Sequence, residues 1–333
     1  MRLKTFLTVF LAGLFVLSHA QKKVGIIGLD TSHSIAFTKE LNGDNKKEQY
    51  KDYKVVAAYP YGSKVIESSY KRIPGYIEQV KGMGVEVVSS IAELLEKVDY
   101  VLLETNDGNM HLEQAYEVFK SGKPVFIDKP LAASASQAIA ITLLSKEYDA
   151  PFFSSSAVRF TPQNQKLRNG ELGKVLGADT YSPAGREITH PDFGWYGIHG
   201  VEGLFTIMGT GCVAVNRMSS EGTDVVSGLW GDGRIGTFRG TRTRKNIYGG
   251  YVLTDGGAVP AGGFEGYGVL LDEIVKFFDT GEVPVSQNET IEMFLFMEAS
   301  NMSKRNNGEI IYLEDVYRKG LQEAQILIEK LKK

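Results

Sequence analysis

A turn near the start of the chain has residues that could bind a phosphate group. Residues 24–28 have the pattern of a short strand buried on both faces, and a helix is predicted over residues 35–41. A strand, a tight turn and a helix in this order bind a dinucleotide's pyrophosphate through backbone N–H groups at the helix N-terminus. The usual fingerprint is G-x-G-x-x-G, but after Gly28 this chain has Asp30 and His33 in place of the second and third glycines. The segment therefore predicts a nucleotide-binding architecture with an altered phosphate site.

Acidic and histidine side chains are also expected together at the ends of two central strands. The carboxyl ends of parallel strands share one edge of a sheet, and ligands bind at that edge. The residues expected there are Asp30, His33, Glu104, Asp107 and His111. Carboxylate and imidazole groups suit zinc or another transition metal, but the spacing of these residues matches no established ligand motif. The sequence therefore predicts no metal ion.

Length and composition limit the class of protein. A chain of 333 residues is too long for one average domain, so two domains are expected. Hydrophobic residues make up 43% and charged residues 23%, which is ordinary for a soluble globular protein. The net charge of −3, without a long basic run, argues against nucleic acid as a partner. The lone Cys212 cannot form an intramolecular disulfide and is expected to be a small buried residue.

The first twenty residues have the pattern of a secretory signal peptide. Arg2 and Lys4 give a basic start, residues 6–17 are almost entirely apolar, and small residues precede a cleavage site after Ala20. An apolar run of 12 residues is shorter than the roughly 20 that a spanning helix needs, although a membrane anchor is the alternative. We therefore expect an exported chain, periplasmic or extracellular, that begins at Gln21 and has no membrane association after cleavage.

The N-terminal half alternates short apolar strands with helices of 8–15 residues. Strands are predicted at residues 53–59, 85–88, 100–103, 125–127 and 152–154. This alternation is typical of an α/β fold with a doubly wound parallel sheet, here a Rossmann nucleotide-binding domain over residues 21–150. The strand at 53–59 ends without the acid that usually binds an adenosine ribose, whereas Ser63 and Lys64 would suit a 2′-phosphate. The choice between NAD and NADP therefore stays open.

The C-terminal half has a different pattern, with many glycines and short β-rich segments. Residues 225–230 and 234–238 flank Gly231-Asp232-Gly233, which predicts a hairpin. The pattern predicts an α+β domain over residues 151–333, built on an open, largely antiparallel sheet. An amphipathic helix over residues 313–333 ends the chain and is expected to pack back on the first domain. The sheet of this domain is also the expected contact of a homo-oligomer.

Three segments resemble the glucose–fructose oxidoreductase/inositol dehydrogenase (Gfo/Idh/MocA) family. The first is residues 24–33, described above. The second joins Thr105-Asn106 and His111 to the run G-K-P-V-F-I-D-K-P-L of residues 122–131, which is similar to the family's G-K-x-V-x-x-E-K-P-L with Asp128 in place of Glu. The third is R-F-T-P at residues 159–162, similar to the family's entry into its second domain. The resemblance covers nearly the whole mature chain.

The resemblance implies that the chain oxidises or reduces a sugar, glycoside or polyol hydroxyl with NAD or NADP. It implies that Lys129 and His199 flank the reacting carbon, where a group with a pKa near the working pH takes the hydroxyl proton. Trp195 stands where the family has an acid beside the histidine, and Glu202, one helical turn on, could partly replace that acid. The cofactor-binding residues expected on this basis are Gly28, Asp30, Thr31, Ser32, His33, Thr105, Asn106, His111, Asp128 and Lys129.

Two features leave other functions open. The Asp30 carboxylate would repel a pyrophosphate unless it is paired or turned away, and free NAD is not expected outside the cytoplasm. One alternative is a sugar lyase or glycosidase that uses a bound, recycled NAD without net redox. Another is a non-enzymatic periplasmic sugar-binding protein that has lost the cofactor and stacks a sugar on Trp195, Tyr196 and Tyr181.

Overall fold

The computed structural model describes residues 21–242 and 247–333, so the signal peptide expected at residues 1–20 lies outside the described residues. The N-terminal domain contains six strands that pair only in parallel. They are β1 (Lys22–Ile27), β2 (Tyr53–Tyr59), β3 (Glu86–Val87), β4 (Tyr100–Leu103), β5 (Val125–Ile127) and β6 (Phe152–Phe153). Their order in the sheet is β3-β2-β1-β4-β5-β6, so the direction of winding reverses beside β1. Ligands bind at such a reversal in doubly wound sheets.

Helices cover both faces of this sheet, which is why its central strands are apolar on both sides. In β4, Val101 and Leu103 pack into one hydrophobic cluster and Leu102 packs into the other. The helices of this domain are α1 (Ser32–Asn42), α2 (Glu67–Tyr70), α3 (Ile73–Gly82), α4 (Ile91–Leu95), α5 (His111–Phe119) and α6 (Ala135–Glu147). Helix α4 has an N-cap, because Ser90 Oγ accepts a hydrogen bond from the Glu93 N–H at 3.1 Å.

The C-terminal domain is built on a seven-stranded sheet. Its strands are β7 (Val175–Pro183), β8 (Cys212–Ser219), β9 (Thr223–Trp230), β10 (Ile235–Thr241), β11 (Gly249–Thr254), β12 (Gly257–Ala261) and β13 (Ile311–Tyr312). They lie in the order β12-β11-β7-β10-β9-β8-β13, and the predicted hairpin is the antiparallel pair of β9 and β10. Only β7 and β10 pair in parallel, so the expected largely antiparallel sheet is confirmed for the described strands.

Five helices complete the described part of the chain: α7 (Pro162–Arg168), α8 (Ile198–Met208), α9 (Gly268–Thr280), α10 (Gln287–Arg305) and α11 (Leu313–Leu331). Helix α8 packs on β7 and β10, and α10 packs on β8. Helix α9 returns to the N-terminal domain, where Leu270, Ile274 and Phe277 join the hydrophobic cluster beneath α1. Helix α11 lies against α6, as the amphipathic pattern predicted.

The two domains share a hydrophobic core. One cluster of buried side chains runs from Phe119 and Ile139 in the first domain to Phe205 and Phe296 in the second. Strand β6 completes the first sheet just beyond the boundary of residues 150/151 that the sequence indicated. Because the core is continuous, the loops at the carboxyl edge of the first sheet are held against the start of α8.

Two further observations concern the length and polarity of the helices and the single cysteine. Within the described residues, every helix is too short or too polar to cross a bilayer. Cys212 is a free, buried thiol at the start of β8, as expected, and burial raises its pKa to about 12.

Candidate active site

A cavity of about 640 Å³ lies between the two domains. The first domain contributes residues from the turn before α1, from α2 and from the loops after β4 and β5. These residues are Thr31, Ser32, His33, Ser68, Arg72, Asn106 and Lys129. The second domain contributes a mainly aromatic wall of Trp195, Tyr196, His199, Tyr248, Gly263, Phe264 and Tyr267. A cavity of this size is in the range of small-molecule sites.

One end of the cavity is suited to an anion. Gly28 has φ of 90°, and a side chain there would collide with the backbone of Thr105, so glycine is required at this turn. Helix α1 begins at Ser32, no side chain caps its first N–H groups, and its first turn has no acidic residue. These free N–H groups carry the positive end of the helix dipole. The guanidinium of Arg72 lines the same end of the cavity.

Asp30 is turned away from this anion site. Its carboxylate is fully buried and accepts hydrogen bonds from the backbone N–H groups of Ser63, at 3.1 Å, and Asn106, at 3.0 Å. Gly62 packs directly on the carboxylate and has no room for a Cβ. Burial raises the pKa of Asp30 to about 6, although both N–H groups oppose the rise. The carboxylate thus links the loops after β2 and β4 and does not face a phosphate.

Lys129 and His199 line the same cavity although they are 70 positions apart in the sequence. Lys129 follows β5, and His199 is in the first turn of α8. The His199 Nδ1 lies 2.7 Å from the hydroxyl of Ser156, which follows β6. Burial, and then the charges of Lys129 and His33, lower the pKa of His199 well below its usual value. His199 is therefore a neutral imidazole at neutral pH.

Glu202 does not partner His199, and the sequence-based expectation is wrong on this point. Its carboxylate accepts hydrogen bonds from Arg159 Nε at 2.5 Å and from the Ser155 hydroxyl at 2.6 Å. Arg159 also pairs with Glu289 at 2.6 Å, so the buried guanidinium contacts both acids, and Arg168 supplies a second positive charge to Glu289. A buried arginine attracts Glu202 more strongly than a neutral imidazole can, and Ser156 is left as the partner of His199.

His33, at the third position of the altered glycine motif, faces two buried acids. Its Nδ1 lies 3.0 Å from Asp128 Oδ1 and 3.9 Å from Glu104 Oε2. Burial, and then the charge of Asp128, raise the pKa of Glu104 well above its usual value. Burial alone would raise the pKa of Asp128 as well, but the charges of His33 and Lys129 hold it below its usual value.

His111 and Asp107 support the loops around the cavity. The ring nitrogens of His111 lie 2.6 Å from the Thr105 carbonyl and 3.1 Å from the Leu131 carbonyl, so this histidine joins the loops after β4 and β5. Asp107 accepts a hydrogen bond from the Ser63 hydroxyl at 2.8 Å. Because that bond occupies its hydroxyl, Ser63 is not free to bind a 2′-phosphate as the sequence indicated.

The structure separates the expected cofactor contacts into two groups. Five of them line the cavity: Thr31, Ser32, His33, Asn106 and Lys129. The other five lie behind its wall as turn, brace or buried acid: Gly28, Asp30, Thr105, His111 and Asp128. The side chains of the last four face the protein interior, where they help to hold together the loops that form the wall.

Sequence reasoning missed Arg72, Ser156 and most of the aromatic wall. Arg72 precedes α3, and its only signal in the sequence is a positive charge in the segment between β2 and β3. Ser156 follows two other serines, so the sequence does not distinguish it. Tyr248, Phe264 and Tyr267 come from glycine-rich loops far along the chain, and only the fold brings them to the cavity.

The residues present fit a nicotinamide dinucleotide. The uncapped start of α1 and Arg72 can hold a pyrophosphate, and the close contact of Gly28 with Thr105 forms the tight turn that such a site needs. Asp30 does not oppose this fit, because its carboxylate is covered by the loops after β2 and β4. Lys129 lines the same cavity together with the aromatic wall of the second domain, where a substrate would bind.

Comparison with known proteins agrees with this fold. Residues 22–155 match the Gfo/Idh/MocA family model, described as an oxidoreductase family with an NAD-binding Rossmann fold. Among curated proteins, none matches the chain.

Solved structures match both domains. Scyllo-inositol dehydrogenase from Lactobacillus casei, crystallised with NAD(H) and scyllo-inositol, is 15% identical, with 88% of this chain and 99% of that chain covered and a TM-score of 0.71. Myo-inositol 2-dehydrogenase from Lactobacillus plantarum is 17% identical, with 87% and 99% covered and a TM-score of 0.70. At these identities the likeness establishes the fold. The N-terminal domain therefore matches the NAD-binding Rossmann domain of the Gfo/Idh/MocA oxidoreductases, and both domains share the fold of these solved structures.

Proposed function

We propose that this oxidoreductase acts on a hydroxyl group of a sugar, glycoside or polyol. The observation that carries the proposal is the meeting of Lys129 and His199 in one cavity beside a dinucleotide-type anion site. Neither residue is near the other in sequence, so a shared role in one ligand site explains why the fold joins them. Structural neighbours that bind inositols support the substrate class.

The cofactor would be held by the first domain. The N–H groups at the start of α1 and the Arg72 guanidinium would bind its pyrophosphate, and Asn106 and Lys129 line the path toward the second domain. When bound, a nicotinamide cofactor accepts or donates a hydride at a carbinol carbon. The protein's own part is to orient the substrate and to move the hydroxyl proton.

His199 is the candidate base. When its Nδ1–H donates to the Ser156 hydroxyl, Nε2 keeps a lone pair and can take a proton from a substrate hydroxyl. Lys129 adds a positive charge to the same cavity, and that charge favours the alkoxide formed when the proton leaves. The low pKa of His199 keeps the imidazole unprotonated at neutral pH.

The lining suits a ring that carries several hydroxyl groups. Trp195, Tyr196 and Tyr248 supply apolar faces, while Ser68 and Asn106 supply hydrogen-bonding groups opposite. Small-molecule sites commonly combine apolar walls with a few oriented polar groups in this way.

The test begins with the purified protein. Its absorbance spectrum and an acid extract assayed for NAD and NADP show whether cofactor is retained, and inositols, sugars and glycosides are then screened for nicotinamide reduction. Reduction on a polyol or sugar, lost in His199→Asn, is the expected result. Conversion of a glycoside with no net change in the nicotinamide would indicate a lyase or glycosidase instead. Binding of sugars with neither cofactor nor turnover would contradict the proposal.

We also propose that the chain is exported. The support is the basic, apolar and small-residue order of residues 1–20 in the sequence. Mass spectrometry of the protein from its native host should find Gln21 at the N-terminus, and a retained Met1 would overturn the proposal.

A further inference from the structure

Three buried side chains meet at the carboxyl edge of the first sheet, and among them only His33 Nδ1 and Asp128 Oδ1 have a hydrogen bond, at 3.0 Å, within the described part of the chain. His33 comes from the start of α1, Glu104 from the end of β4 and Asp128 from the end of β5. Their candidate ligand atoms all lie within 4.8 Å of one another. The cluster is behind the cavity wall, which His33 itself and the neighbouring Lys129 help to form.

Among the residues that the structure describes, most of the carboxylate oxygens in this cluster have no hydrogen-bond partner. Both side-chain oxygens of Glu104 and Oδ2 of Asp128 are buried with no hydrogen bond, although both residues are 0% exposed. Within the described residues, the Lys129 ammonium forms neither a hydrogen bond nor an ion pair with either acid. Buried polar groups without partners are costly and rare in folded proteins.

Other buried acids of the chain show the contrast. Asp30 accepts two backbone N–H groups, Glu202 pairs with Arg159, and Glu289 pairs with Arg159 and Arg168. The fold thus neutralises or satisfies these carboxylates with its own groups. The unpaired oxygens of Glu104 and Asp128 indicate that a positive ligand from outside the chain completes this cluster.

We infer that His33, Glu104 and Asp128 bind a divalent transition-metal cation. Ligands about 2.1 Å from a metal lie about 3.4 Å apart in a tetrahedral site, and about 3.0 Å (adjacent) or about 4.2 Å (opposite) apart in an octahedral site. The Nδ1 of His33 is 3.0 Å from Asp128 Oδ1 and 3.9 Å from Glu104 Oε2, which matches this range. One imidazole with two carboxylates favours zinc, manganese or iron over calcium and magnesium. This inferred site differs from the sequence-based expectation of no metal, and its ligands come from the start of α1 and from the ends of β4 and β5.

Three protein ligands leave at least one coordination position open, as in catalytic rather than structural metal sites. The His33 ring is in edge contact with Tyr267, at 4.3 Å between ring centroids, and both residues line the cavity. A cation bound by His33 is therefore close to the ligand space. The inference does not depend on the proposed redox function, since metal binding can be measured without cofactor or substrate.

The test uses the full mature chain. Protein stripped with EDTA is titrated by calorimetry with Zn²⁺ and Mn²⁺, and metal content after dialysis is measured by mass spectrometry. We expect about one equivalent per chain and a rise in melting temperature on metal addition. Glu104→Gln keeps the shape of the side chain and should weaken binding at least tenfold, since loss of a residue that only supports a metal ligand already costs about tenfold or more. Glu292→Gln, which replaces a half-buried acid beside β8, is the matched control and should bind as wild type.

The outcomes separate clearly. Glu104→Gln should fold in the absence of metal, since it removes an unpaired buried acid; its circular dichroism and melting temperature check this. If Glu104→Gln does not fold, two other measurements test the inference. His33→Asn should weaken metal binding, and metal should raise the melting temperature of the wild type. Absence of stoichiometric binding to the wild type, or equal affinity of wild type and Glu104→Gln, would overturn the inference.

Discussion

Within residues 21–242 and 247–333, His199 has no carboxylate partner. Ser156 orients its ring through a neutral hydrogen bond, whereas the nearest acid of its own helix, Glu202, is held by Arg159. A carboxylate partner would stabilise the protonated, imidazolium form of His199 more strongly than the neutral Ser156 hydroxyl does. The burial that lowers the pKa of His199 is therefore not offset, and this residue should act as a base that is free at neutral pH.

Loss of either proposed catalytic residue should reduce turnover strongly. Lys129→Met and His199→Asn should each lower kcat by roughly 10²- to 10⁴-fold, the usual range for general acid–base help. Their joint loss should be smaller than the product of the two, because groups that act on one hydroxyl are not additive. Steady-state kinetics on the identified substrate measure this, with the exposed Lys146→Met as control. Near-normal turnover in both variants would contradict the assignment.

Replacement of Ser156 should change the orientation of the His199 ring more than the protonation state of that ring. Ser156→Ala removes the only hydroxyl bonded to His199 among the described residues, so kcat should fall about tenfold while KM changes little. Because the pKa of His199 is already low, kcat/KM should show no acidic limb near pH 6.5 in the wild type. A pH–rate profile of both proteins checks this, and an acidic limb at the ordinary histidine value would argue against a buried, neutral base.

Asp30 should give stability a pH dependence opposite to that of a salt-bridged acid. Its folded pKa is raised to about 6 from an ordinary value of 3.8. The folded state therefore holds this proton more tightly, and the resulting stability is present below about pH 4 and lost as pH rises through 6. The loss is about 3 kcal/mol by linkage. The melting temperatures of wild type and Asp30→Asn should differ less at low pH than at pH 7.5. A difference that stays the same at every pH would contradict the raised pKa.

At the scale of elements, the anion site is formed by the start of α1 and by Arg72 before α3. Helix N-termini attract anions through free N–H groups, and a guanidinium adds a bidentate donor. Both elements follow strands of the same parallel sheet, which brings them to one edge.

Removal of the Arg72 charge should weaken cofactor binding. Arg72→Gln should raise the Kd of NAD or NADP by roughly tenfold to a hundredfold, as expected for a charged hydrogen bond to phosphate. Calorimetric titration with each nucleotide measures the change and also shows which is preferred. Arg318→Gln on the exposed face of α11 is the control and should leave Kd unchanged. An unchanged Kd in Arg72→Gln would place the pyrophosphate elsewhere.

The sequence predicted the elements whose patterns are local. Strands β2, β4 and β5 have the predicted bounds because each is a short apolar run followed by a turn. Strand β7 was not predicted: its residues 175–183 include glycine and proline, and it is a strand because β10 and β11 pair with it on both sides. The same reason explains the site. Lys129 and His199 were found through motifs, and His33 and Glu104 were expected at one edge of the sheet. Arg72, Ser156 and the place of Asp128 beside His33 depend on tertiary contacts.

At the scale of the molecule, the outer face of the second sheet is unusually apolar. Tyr251 is 63% exposed and Leu253 54% exposed on alternate positions of β11, and Leu229 pairs with Ile235 on the neighbouring strands. Exposed apolar patches of this kind mark interaction surfaces. We propose that this face joins two copies of the chain.

Charge on this face should separate the copies. Leu253→Glu should shift the wild-type oligomer to monomer in sedimentation velocity at micromolar concentration, because a buried unpaired carboxylate opposes association. Lys319→Glu on α11 serves as a control that should leave the oligomer intact. A monomeric wild type, or an oligomer unaffected by Leu253→Glu, would contradict this arrangement.

The contact between Asp30 and Gly62 has an evolutionary consequence. With no room for a Cβ at position 62, and with two backbone N–H groups directed at the acid, the two residues constrain each other. Restoring glycine at position 30 would strand both N–H groups, and adding a side chain at position 62 would displace the acid. The effects of substitutions at positions 30 and 62 are thus epistatic. Once Asp30 and Gly62 were both present, a lineage could return to the common glycine fingerprint only through a less stable protein with one of the two residues changed.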